Sequence, residues 1–88
     1  MKITKRDIEA VVERINRATN SPLTPYTRHE GKLIANIGNY HLDSAYGGYS
    51  LHRMNNEAGG IDAIISGYHS KRDIYNRMQA FISGYLAK

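Results

Sequence analysis

The chain contains no cysteine and no tryptophan, only two prolines and one phenylalanine, and no apolar run longer than a few residues. The missing cysteines exclude a disulfide framework, thiolate metal sites and a thiol nucleophile. A bilayer-spanning helix needs about 20 consecutive apolar residues, so no membrane segment is expected. The N-terminus shows no charged-then-apolar leader, and secretion is not expected either. Acidic residues are in deficit, eight against twelve Lys+Arg, which leaves a formal charge of +4 and favours anionic partners. The eight glycines lack the order of a phosphate-binding loop or a dinucleotide fingerprint, so no cofactor is expected. What is present is 88 residues with a 41% hydrophobic share, enough for one domain over 1–88. Such a chain buries about 60–65% of its unfolded surface, around a single modest core.

The basic excess sits at the two ends. Lys2, Lys5, Arg6, Arg14 and Arg17 outnumber Asp7, Glu9 and Glu13 in the first twenty residues. Lys71, Arg72, Arg77 and Lys88 outnumber Asp73 in the last nineteen, whereas the middle is slightly acidic. Both ends read as helices, over about 4–19 and about 70–86. Each opens on the pattern [Ser/Thr]-Lys-Arg-Asp-Ile, at Thr4–Ile8 and Ser70–Ile74. Thr4 and Ser70 are suited to cap the first turn, and Asp7 and Asp73 fall where a carboxylate can return the bond. Ile8, Val11, Val12 and Ile15 form one apolar stripe; Ile74, Met78, Phe81, Ile82 and Tyr85 form the other. Lysine and arginine in a first turn oppose the helix dipole, but beside free backbone N–H groups they suit a phosphate.

The middle predicts an antiparallel sheet over about 33–66, with three strands, or four if 33–37 forms a separate one. Tyr46-Gly47-Gly48-Tyr49 reads as a tight hairpin with Gly47 and Gly48 in its loop. That register sets Asp43 opposite His52 and puts Tyr40, Leu42, Tyr46, Tyr49 and Leu51 on one face. His41, Asp43, Ala45, Ser50, His52 and Met54 fall on the other. A turn around Asn56–Gly60 leads to a third strand with Ile61, Ala63 and Ile65 in alternation, and Pro22–Pro25 links helix to sheet. The expected fold is α+β: a two-layer sandwich in α-β-β-β-α order, with both terminal helices on one sheet face.

Two groups of residues are candidates for function. Lys5, Arg6, Lys71, Arg72 and Arg77 could hold nucleic acid or another anion. His41, Asp43 and His52 on the open face, with the hairpin residue Tyr49, could contact a protein partner. Two imidazoles and a carboxylate could also ligate zinc or act as an acid/base pair, although a flat sheet lacks the cleft that chemistry needs. Tyrosines interleaved with Arg28, Arg53, Arg72 and Arg77 could stack bases.

Tyr40-His41-Leu42-Asp43-Ser44-Ala45-Tyr46-Gly47-Gly48-Tyr49, together with the closing Lys71-Arg72-Asp73-Ile74 and Phe81-Ile82-Ser83-Gly84, resembles small uncharacterised proteins of tailed phages and prophages. The resemblance covers about residues 26–86. It implies a phage or prophage origin and the bacterial cytoplasm as workplace, and it brings no site residues with it. The element order is also similar in topology to the double-stranded-RNA-binding domain, without that domain's basic helix motif or its Gly-Pro loop. The expectation is a phage-type accessory protein that binds rather than catalyses. Nucleic acid is its first partner class, with a host or phage protein as the other; the alternative function is inhibition or modulation of a host protein complex as an anti-defence or host-takeover factor. A small metal-binding or enzymatic protein is the minor alternative, and pairing of two copies at a free edge or face is a further expectation.

Overall fold

A computed structural model describes residues 2–87; Lys88, counted above among the C-terminal charges, lies outside them. Helix α1 spans Lys5–Ala18 behind the Thr4 cap. The Thr4 hydroxyl accepts from the Asp7 N–H, and the Asp7 carboxylate accepts from the Thr4 N–H at 2.8 Å. Hydrogen bonding from the Thr4 backbone N–H, and secondarily from the Thr4 side chain, holds the Asp7 carboxyl below the usual aspartate range. Helix α2 spans Lys71–Leu86, with the Ser70 hydroxyl accepting from the Asp73 N–H. There the carboxylate turns elsewhere: Asp73 meets His69 Nδ1 at 2.9 Å and Arg77 Nε at 3.2 Å.

Between the helices lie five strands in two antiparallel sheets. Strands β1 (Tyr26–His29) and β2 (Lys32–Ala35) form a hairpin of their own. Residues 33–37 therefore do contribute a separate strand, but it pairs with Tyr26–His29 and not with the main sheet. Strands β3 (Tyr40–Ala45), β4 (Gly48–Met54) and β5 (Ile61–His69) form that sheet in sequence order.

The β3–β4 turn is shifted from the sequence expectation. Ala45 pairs with Gly48, so the loop is Tyr46-Gly47 and Gly48 belongs to β4. His41 consequently faces His52, and Asp43 faces Ser50 instead of His52. A two-residue hairpin of this kind wants positive φ at both loop positions, and Tyr46 (53°) and Gly47 (72°) supply it. Gly48 is held in the strand by close approach, because a Cβ there would lie 2.8 Å from the Tyr68 carbonyl carbon. The shift moves each pairing by two residues and so leaves the side chains that stay in β3 and β4 on their expected faces, while Tyr46 passes into the turn. In β5 the alternation does break. Register shifts lie between Tyr49 and Leu51 and between Leu51 and His52. Ile65 thus pairs beside Leu51, whereas Ala63 pairs beside His52 on the opposite face.

Both helices pack on the Leu51 face. Ile8, Val11 and Ile15 of α1 and Ile74, Met78 and Ile82 of α2 meet Leu51, with Tyr40, Leu42, Tyr49 and Ile65 around them. This is the α+β layering read from the sequence, with the β1–β2 hairpin added to it. Among the described residues no helix is long and apolar enough to cross a membrane.

Candidate functional site

The two helices run parallel, and their starts lie at the same end of the sheet. Asn16 of α1 bonds the Tyr40 backbone, and Phe81 of α2 packs on the Tyr40 ring with centroids 5.6 Å apart. Lys5 is eleven residues back from Asn16, about 16 Å, and Lys71 is ten back from Phe81, about 15 Å. Along β3 the five steps from Tyr40 to Ala45 cover about 17 Å. Both helix starts are therefore level with the Tyr46-Gly47 turn. Two further contacts agree: Tyr49 pairs with His69 just before α2, and Arg14 Nη1 donates to Gln79 Oε1 at 3.3 Å between the helices.

This end gathers Lys5, Arg6, Lys71 and Arg72, all exposed. Arg77, one turn further along α2, donates to Asp73. Four cations against the Asp7 and Asp73 carboxylates leave the end basic by count. Tyr46 projects from the turn at this end of the sheet with 95% of its surface exposed. Its ring meets Tyr68 edge to face, with centroids 5.6 Å apart. The Tyr68 hydroxyl donates to Asp43 at 2.5 Å, a bond that raises the Tyr68 pKa above the usual phenol value. Tyr46 does not join the buried face, as the sequence reading had it. The turn shift removes it from the strand, and its left-handed φ is a conformation that non-glycine residues adopt at about 1–2 kcal/mol.

On the open face His41, Asp43 and His52 stay neighbours, but the expected Asp43–His52 pairing does not form. Asp43 is bonded to Tyr68, and the His41 and His52 rings stand edge to face, with centroids 5.9 Å apart. Among the described residues no three His, Asp or Glu side chains are grouped to hold a metal ion. Tyr49 belongs to the helix side of the sheet, packed against the core, and is not on the face of His41, Asp43 and His52. The arginines proposed to interleave with tyrosines are also engaged: the Arg53 guanidinium lies 5.8 Å over the Tyr40 ring, and Arg28 donates to the Gly31 carbonyl.

His41 is half-buried, and burial lowers its pKa, with the neighbouring His52 adding to the shift; Asn39 and Asp43 oppose it. The folded state thus binds a proton at His41 less readily than the unfolded chain does. Stability from this group is fully present above the unfolded histidine pKa of about 6.5, and is lost as pH falls through the lower folded value. Urea midpoints are expected to drop between neutral and mildly acidic pH, and His41→Asn to flatten that dependence. An unchanged slope in the variant would assign the pH effect to other groups.

Comparison with protein-family models, with curated proteins and with solved structures finds no match.

Proposed function

We propose that this protein binds nucleic acid with the end of the molecule where both helices start. The observation that carries this reading is the strained, exposed Tyr46 on the turn at the same end of the sheet as Lys5-Arg6 and Lys71-Arg72. Lysine and arginine neutralise phosphates and fix position, and an exposed aromatic ring gives a base a surface to stack on. Both helix starts also present first-turn N–H groups, which favour phosphate oxygens. The phage or prophage origin and bacterial cytoplasm implied by the resemblance fit a small accessory protein that acts by occupying its partner without chemistry.

The test is fluorescence anisotropy with labelled single-stranded and duplex oligonucleotides across a salt series. Affinity is expected to fall steeply with salt, and Lys5→Ala with Lys71→Ala to reduce the log–log slope by about 2. Tyr46→Asn relieves the left-handed strain and is expected to stabilise the fold by about 1 kcal/mol while weakening binding. Salt-independent affinity, or no binding at micromolar protein, refutes the reading.

A further inference from the structure

We infer that the groove between α1 and the outer edge of β3 accepts an extended acidic peptide as an added strand. β3 is an edge strand of the main sheet, and an edge offers a backbone N–H and C=O at every second residue. At Tyr40 both are already taken. The buried Asn16 side chain donates to the Tyr40 carbonyl at 2.9 Å and accepts from the Tyr40 N–H at 2.8 Å, the pair of bonds a neighbouring strand would make. Strand alternation puts the N–H and C=O of Leu42 and Ser44 on the same outer side. They border an open groove of about 600 Å³, walled on the helix side by Lys5, Arg6, Glu9 and Glu13 and lined below by Leu42 and Tyr49.

Strand addition of this kind takes affinity from main-chain bonds and specificity from the side chains beside them. The occupant is a free segment and not a second copy of the chain. Asn16 reaches the outer side of β3, so α1 overhangs this edge, and a second copy would bring its own α1 into the same space. The charges along the wall set the peptide's polarity. Lys5 and Arg6 are exposed and level with Ser44, whereas Glu9 and Glu13 lie further along and Glu13 already pairs with Arg17 at 3.1 Å. The acidic end of the peptide therefore lies against Lys5 and Arg6. This inference does not depend on nucleic-acid binding, although the two surfaces share Lys5 and Arg6.

The probe is an octapeptide of alternating threonine and valine ending in two glutamates, compared with one ending in two lysines. Amide NMR shifts and hydrogen exchange are followed in the 88-residue protein. The acidic peptide is expected to shift the Leu42 and Ser44 amides, slow their exchange at least about tenfold, and bind about tenfold more tightly than the lysine peptide. Ser44→Pro removes the outward N–H while an edge strand tolerates proline, so the variant should keep its amide spectrum elsewhere and lose the peptide. Arg6→Glu should abolish the preference for the acidic peptide in a chain whose fold it leaves intact. No response at Leu42 and Ser44 at millimolar peptide overturns the inference, as does equal binding by Ser44→Pro or equal affinity for the two peptides.

Discussion

Asn16→Ala is expected to destabilise the fold by about 2–4 kcal/mol, a large part of what a domain of this size has. Asn16 is 1% exposed, and its amide is the hydrogen-bond partner of both backbone groups of Tyr40 on the outer side of β3. Alanine leaves that donor and that acceptor unpaired beside α1 and opens a cavity where the side chain was. Urea denaturation reads the loss as a lower midpoint at unchanged slope. Asn16→Asp separates hydrogen bonding from packing, since the shape is kept. At neutral pH its carboxylate oxygen would face the Tyr40 carbonyl, and protonation at low pH would restore the donor. The aspartate variant should therefore lose less stability relative to the parent in acid than at neutral pH. A loss below about 1 kcal/mol for Asn16→Ala would show that water replaces the amide without penalty.

Gly48→Ala is the second large effect, at about 2–3 kcal/mol. The added Cβ would lie 2.8 Å from the Tyr68 carbonyl carbon, 3.0 Å from the His69 nitrogen and 3.1 Å from the His69 oxygen. All three are backbone atoms, so no side-chain rotation relieves the clash. The chain must instead move β5 away from β4 just where His69 leads into the Ser70 cap of α2. The expected signature is a lowered thermal midpoint together with faster amide exchange at Tyr49 and His69. Gly47→Ala offers a contrast: a Cβ there meets nothing within 4 Å, and its cost comes from the positive φ alone. Equal effects from the two substitutions would remove the close-approach account of Gly48.

The helices were legible because their signals are local. A capping residue and an apolar stripe act within one or two turns, and both chain ends carry them in the same order. Face assignment in the sheet was legible for a similar reason, since period two survives a register shift of two. The turn itself was misplaced by one residue. Tyr46-Gly47 and Gly47-Gly48 are both credible loops from sequence, and the choice rests on the backbone of β5 lying against Gly48, a contact some twenty residues away. The β1 strand escaped for another reason. Tyr26–His29 is exposed throughout, and its partner Lys32–Ala35 buries little before Ala35, so hydrophobic alternation had nothing to report.

The candidate site divides along the same line. The Lys-Arg pairs behind Thr4 and Ser70 stand in the sequence, as do the +4 charge and its concentration at the chain ends. Asn16 carried no signal there: an asparagine on the buried side of a helix becomes meaningful only when the strand edge it bonds is known.

By itself the sequence determined two capped helices, a sheet with one apolar face, and a basic excess confined to the helical ends. These follow from short-range periodicity and composition, which no distant contact can alter. The tertiary structure alone decided that the helices run parallel, which brings two separate Lys-Arg starts to the end of the sheet that carries the Tyr46-Gly47 turn. It also decided that α1 overhangs β3 and leaves part of that edge unpaired. Helix direction across a sheet and the pairing of an edge depend on contacts between residues far apart in the chain, and the packing of Ile8, Leu51 and Ile74 in one core is what brings those residues together.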